Sequence, residues 1–253
     1  MDVEPANKSL SKTIAFARQK YADSLTPLGD NLYSHCIAVA RQAEVIAQKL
    51  YQSVRNDYMP DSTKDSIAAI VQSALLHDVL NVSSCAFEHI AEIATVQVAA
   101  MVADISRDFR LVETKRDLEF RGRVSQSPVG AQIVVAADVI CTAKELLRFL
   151  ERSGAAETAK AKKILVQLDG DLLALHATNR YYVLRLYAHA ARNLLGDASR
   201  AIKNCRQQAR LKKLTAQHTK KLQNKIAAKK ATLNDSAPAV KKSEQKKGTA
   251  RDK

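Results

Sequence analysis

Apolar residues recur three and four positions apart along nearly all of residues 8–200, and no stretch of useful length alternates apolar with polar. A spacing near 3.6 keeps one stripe of a helix apolar, whereas a strand needs a period of two, so the chain is expected to be all-α. The pattern predicts helices over 8–22, 32–52, 64–80, 86–106, 111–122, 129–152, 156–168, 171–195 and 197–232. Between them stand clusters of Pro, Gly, Ser, Asp and Asn, such as "TPLGDN", "NDYMPDST", "NVSS", "SQSP" and "ERSGAAE", which are breakers and helix caps. The composition agrees: Gly and Pro are few, tryptophan is absent and aromatics make up only 5% of the chain. At 253 residues one sizeable helical core needs no staples.

The net charge of +14 is unevenly placed. Residues 1–199 hold 23 basic and 23 acidic side chains, whereas residues 200–253 hold 17 and 3. The whole excess sits in a segment with a thin stripe of Ile202, Leu211, Leu214, Leu222 and Ile226, followed by "SAPAVKKSEQKKGTARDK", which has too few apolar groups to fold alone. Residues 1–212 are therefore expected to form the main domain, and residues 213–253 a basic helical extension with a disordered tail. Such a segment suits non-specific attachment to nucleic acid or to an acidic partner through residues 200–253. A solvated tail that aids solubility fits the charge equally well.

Cys36, Cys85, Cys141 and Cys205 form no CxxC pair, which suits reduced thiols packed as small hydrophobes in a cytoplasmic protein. No apolar run approaches the roughly 20 residues that a membrane span requires, so no membrane partner is expected.

Three places break the apolar pattern. In "SALLHDVLNVSS" His77 and Asp78 follow Ile70 and Val71 by one heptad, on or beside the stripe that should be buried. In "AQIVVAADVICTAKELL" Asp138 interrupts an apolar run, and in "NLYSHCIAVARQAEVIAQKL" His35 opens a helix whose inner face carries Val39, Ala43, Ile46 and Leu50. A buried carboxylate is costly without a cation or several donors beside it. Taken singly, each has an ordinary explanation as a hydrogen-bonded core residue. Together, two imidazoles and two carboxylates on three helices make a borderline-hard donor set suited to manganese, iron or zinc, and open positions on such an ion suit phosphate ester hydrolysis.

The order His, His-Asp, Asp resembles the HD phosphohydrolase superfamily. The surrounding residues narrow the resemblance to the small alarmone hydrolases and the hydrolase domain of Rel-type stringent-response enzymes. "YSHCIAVA" looks like their Tyr-x-x-His-x-x-x-Val-Ala stretch with Tyr33 one residue nearer the histidine, and "ALLHDVL" like their Ala-Leu-Leu-His-Asp segment. "FEHIAEIATVQVAAMVADIS" is similar to the amphipathic pair that follows, and "SQSPVGAQIVVAADVICTAKEL" to their Ser-Pro-x-Ala-x-x-Val-x-x-Ala-Asp helix, with one extra residue after Pro128. The likeness covers about residues 10–150. It implies an HD-domain helical bundle with metal ligands at His35, His77, Asp78 and Asp138 and manganese as the metal. The reaction it implies is removal of the 3′-pyrophosphate from a guanosine 3′,5′-bis(diphosphate)-type alarmone by metal-activated water.

The family continues His-Asp-x-x-Glu-Asp, and here Asn81 and Val82 stand at the acidic positions, where neither can exchange a proton. The catalytic set is accordingly Asp78 with Asn81 at the altered position. Tyr33, Arg116, Ser127, Thr142 and Lys144 are the candidate substrate contacts, with Lys20, Lys115, Arg121 and Arg123 as further cations near the matched segments. Thr142 stands where the family has Asn, and Asp23 and Asp30 where it has a basic loop. Two readings follow. One is a manganese-dependent phosphohydrolase acting on an alarmone or related nucleotide pyrophosphate. The other is a catalytically degenerate HD domain that serves as a nucleotide-sensing or nucleic-acid-binding regulatory module. Cys36 and Cys141, which flank the proposed ligands, read as packing residues; His89, His176, His189 and His218 read as ordinary helix residues.

Overall fold

The computed structural model describes the backbone of residues 3–53, 65–178 and 182–235, and the side chains of residues 9–53, 65–175 and 184–226. The "NDYMPDST" punctuation, His176 and the tail from residue 236 lie outside the described side chains. The helices are α1 (Val3–Lys20), α2 (Leu32–Ser53), α3 (Ile67–Leu76), the single turn α4 (Val79–Val82), α5 (Phe87–Ile93), α6 (Val96–Ile105), α7 (Glu113–Gln126), α8 (Val129–Ser153), α9 (Thr158–Thr178) and α10 (Tyr182–Asp235). Among the described residues there is no strand, only one bridge between Leu25 and Asn31. The molecule is all-α.

The centre of the bundle is α8. Its first half, Val129–Ala137, is buried on every face, as expected of a helix that is apolar all round. It packs against α2, α3, α6, α7 and α9, while α2 also packs along α3. Ile46, Ile70, Leu76, Ile133 and Leu172 are fully buried, each contributing about 1.5–3 kcal/mol of burial. The start of α8 is pinned from outside: the Gly130 N–H donates to Asp65 Oδ2 at 2.9 Å. A Cβ at Gly130 would strike that carboxylate and the Met101 sulfur, so only glycine admits the contact.

Several sequence-predicted boundaries move, each for a local reason. The helix expected over 64–80 starts at Ile67, where the Ser66 hydroxyl accepts from the Ala69 N–H, and stops at Leu76. The helix expected over 86–106 is two, because Thr95 caps a fresh start by accepting from the Val98 N–H at 3.2 Å. The break expected near residue 170 is absent, and α9 runs through Gly170. There the Arg121 side chain lies across the glycine, in the space a Cβ would need, on its way to Asp171. The break expected at 195–197 is absent too; α10 passes through it, with Leu184, Ala188, Ala191, Leu195, Ala198 and Ile202 buried along one face.

Packing divides the chain into two units, Met1–Arg206 and Gln207–Lys253. The first holds the core. In the second every described side chain, from Gln207 to Ile226, is exposed. Among the described residues no helix is long and apolar enough to cross a membrane.

Candidate metal centre

The break between α3 and α4 creates one half of the site. His77 and Asp78 form the turn, with Asp78 at φ −101° and ψ 0°, and the Asp78 carbonyl accepts from the N–H groups of Asn81 and Val82 at 2.9 and 3.2 Å. The His77 Nδ1–H donates to the Ala74 carbonyl at 2.8 Å, which directs Nε2 away from its own helix. Asp78 Oδ2 lies 3.5 Å from that Nε2.

Helix α2 supplies His35 from its first turn and α8 supplies Asp138 from its middle. His35 Nε2 stands 3.2 Å from Asp138 Oδ1, and His77 Nε2 stands 4.0 Å from the same oxygen. The two imidazoles are tilted at 60° with centroids 5.4 Å apart. One donor atom from each of His35, His77 and Asp138 falls within 4.8 Å of the other two. The histidines are buried, but the side chain of Asp138 keeps 34% of its surface exposed and that of Asp78 32%. The cluster is therefore closed on its nitrogen side and open to solvent on its oxygen side.

Both imidazoles are oriented from behind. His35 Nδ1 is 2.9 Å from Oε1 of Glu145, which is buried one heptad along α8 from Asp138. A carboxylate and a carbonyl can only accept, so both Nδ1 atoms carry their proton and both Nε2 atoms face the cluster. Histidines that hold a metal are commonly tied in this way. Glu145 was not among the sequence-level candidates. Its signal was present all the same: the seven-residue interval from Asp138 puts two acids on one face of an otherwise buried helix.

Charge follows this geometry. Burial opposes protonation of His35, but hydrogen bonds to Asp138 and Glu145 outweigh it and raise its pKa to about 10. Burial likewise opposes charge on His77, and its pKa is raised beside Cys36, Asp78 and Asp138. Because burial holds Cys36 as a neutral thiol, the two carboxylates carry that rise. Burial resists ionisation of Asp138, yet the His35 hydrogen bond and the two imidazoles hold its carboxyl well below the usual range. Cys141 is pushed up to about 12, chiefly by burial, and both cysteines beside the cluster are free and buried.

The remaining sequence-predicted residues divide. Thr142 donates to Asp138 Oδ1 at 3.0 Å, and Asn81 donates to Asp78 Oδ1 at 2.9 Å, so both join the cluster as supports for its carboxylates. Val82 is 42% exposed. Tyr33 is half-buried on α2, with the Arg18 guanidinium 5.7 Å from its ring centre, and Lys144 is exposed on α8. Ser127 bonds the Arg123 carbonyl at the end of α7, and the Arg116 guanidinium lies 4.6 Å from the centre of the Phe109 ring. Arg121 pairs with Asp171, and Arg123 donates to the carbonyls of Ala103 and Ser106, which makes these two cations struts between helices. Lys115 is exposed on α7, and the Lys20 ammonium lies 5.4 Å from the centre of the Phe16 ring.

No protein-family profile and no curated protein sequence matches the chain. Among solved structures, one described as a metazoan ortholog of SpoT that hydrolyses ppGpp and plays a role in starvation responses is similar in fold. It superposes with a TM-score of 0.55 at 17% sequence identity, over 72% of this chain and 93% of that one. At that identity the likeness speaks for the fold alone, an all-α helical bundle.

Proposed function

We propose that the protein is a divalent-metal-dependent phosphohydrolase of nucleotides, with a guanosine 3′,5′-bis(diphosphate)-type alarmone or a related nucleotide pyrophosphate as substrate. The observation that carries this reading is the convergence of His35, His77 and Asp138 from three helices, with both imidazoles oriented through Nδ1. The donor set fits a metal ion: two Nε2 atoms and a carboxylate oxygen meet on a side open to water. His35, His77 and Asp138 would hold the ion, with Asp78 as the fourth donor. Two nitrogens with two carboxylates suit manganese, iron or zinc, and the resemblance to the HD phosphohydrolases favours manganese. Such an ion, when bound, supplies a Lewis acid that polarises phosphoryl oxygen and makes water a better nucleophile at neutral pH.

The chain's own residues do the rest. Glu145 keeps the His35 ring in one tautomer and orientation. Thr142 holds Asp138, and Asn81 holds one oxygen of Asp78. With no acid at positions 81 and 82, Asp78 is the carboxylate we assign to take the proton of the attacking water: Oδ2, beside His77 Nε2, would face the ion, and the remaining lone pair of Oδ1, which also accepts from Asn81, would accept the proton. Tyr33 and Lys144 lie on the two helices that supply His35 and Asp138, which favours them as substrate contacts. Ser127 and Arg116 belong to the same proposed set, at a remove on α7 and its end. A cytoplasmic setting fits the four free cysteines.

The neutral pair Asn81 and Val82 favours one alternative, a degenerate HD domain that binds metal and nucleotide as a regulatory module. The deciding experiment incubates the purified protein and manganese with guanosine tetraphosphate and a panel of nucleotides, with pyrophosphate and phosphate release as the readout. Turnover that Asp78→Ala abolishes is the expected result. Metal retained without turnover of any nucleotide would replace the enzyme with the sensing module.

A further inference from the structure

Between Asp197 and Asp235 the sequence contains no acidic residue, yet it carries eleven lysines and arginines, all within the single helix α10. A solvated helix ordinarily offsets its cations with carboxylates one turn away; here Arg200 has Asp197, and the cations after it have none. Within the second unit five of the six cations with described side chains also share a face. At 3.6 residues per turn Arg210, Lys213, Lys220, Lys221 and Lys225 fall within an arc of roughly 140°. Leu214 falls within that arc, Leu211, Leu222 and Ile226 lie to one side of it and Lys212 lies outside it, and all ten side chains are exposed. Among the described residues no ion pair involves any of the five.

We infer that this face of α10 is a docking surface for the phosphate backbone of a double-stranded nucleic acid. The row repels itself and is stabilised by a partner that presents anions at close, regular intervals along a line, which is what a duplex backbone does. The uncharged hydrogen-bonding residues interspersed with it, Gln207, Gln208, Gln217, Gln223 and Asn224, are of the type that reaches phosphate and sugar oxygens. No aromatic residue follows Tyr187, so the surface lacks the stacking platforms that grip single strands. The same lack, with only the four aliphatic residues Leu211, Leu214, Leu222 and Ile226 spread over 16 residues, argues against a lipid surface, which takes a broad face of aromatic and aliphatic anchors.

The test uses the full chain and its binding to 25-base-pair duplex DNA, duplex RNA and polyglutamate across a salt series. Five phosphate contacts give a slope of log K against log salt of about −4.5, or a loss of about 500-fold between 50 and 200 mM salt. The variant R210Q/K213Q/K220Q/K221Q/K225Q should keep its helical circular dichroism and lose about that much slope. K241Q/K242Q/K246Q/K247Q/R251Q removes the same charge from the tail and should change the slope by less than about one. Binding to either duplex supports the inference, and the stronger of the two identifies the nucleic acid. Equal effects of the two variants, failure to bind either duplex, or equal binding to polyglutamate would overturn it.

Discussion

The cluster around Asp138 and the exposed face of α10 handle charge in opposite ways. In the first, both buried imidazoles stand beside an opposite charge or an acceptor: His35 has Asp138 and Glu145, and His77 has Asp78 and the Ala74 carbonyl. In the second, cations line up in water with no carboxylate among them. Burial explains the difference. A charge taken out of water must be compensated within the fold, and that compensation is specific in geometry. A charge left in water is tolerated uncompensated, at the cost of local repulsion that a polyanion relieves. The first arrangement selects a small ion and holds it; the second selects a class of partner.

The comparison breaks most sharply at Asp138. Asp138→Ala leaves two buried imidazoles without their shared carboxylate, and metal binding should fall by more than the ~10–100-fold typical of an outer partner. Unchanged metal content after dialysis would remove Asp138 from the site. Next in size is Leu76→Ala, which empties a fully buried position at the end of α3. Urea unfolding should show a loss of about 2–5 kcal/mol.

Glu145→Ala tests whether the orientation of His35 matters. Manganese affinity should drop ~10–100-fold, while Glu145→Gln, whose amide oxygen still accepts from Nδ1, should retain most of it. Equal losses in both variants would mean that the carboxylate charge, and not the orientation of the ring, is what counts.

The pH dependence is a smaller effect with a definite sign. His35 has its folded pKa raised from 6.5 to about 10. In chelator-treated protein its contribution to stability is therefore fully present below pH 6.5 and lost as pH rises through 10. Metal competes with the same proton, so manganese affinity should rise over that window, by at most about tenfold per pH unit for each proton released. Titration calorimetry at pH 7 and pH 8 measures it, and an affinity that falls with pH would contradict the assignment. Smallest of all is Leu222→Ala on the exposed part of α10, expected to change stability by less than about 0.5 kcal/mol, in contrast to Leu76→Ala.

Much of this was legible in the order of residues. The helical period called for an all-α bundle, and polar residues interrupting apolar stripes singled out His35, His77 and Asp138. Element ends were less legible, because they rest on local detail: the Thr95 hydroxyl starts a helix inside an apolar run, whereas Gly170 does not end α9, which continues through it. Glu145 was overlooked because in sequence it is one acid beside Lys144 near the end of a long helix. Its role depends on His35, 110 residues away, lying across the bundle.

The sequence by itself determined the all-helical class, the three places where polar groups meet the core, and the charge asymmetry about residue 200, since periodicity and charge are properties of the chain. Only the tertiary structure decided which nitrogens face one another, that His77 and Asp78 occupy a turn and not a helix, and that Glu145 stands behind His35. Those facts depend on distances between α2, α3 and α8, and such distances are set by how side chains fill the space between helices.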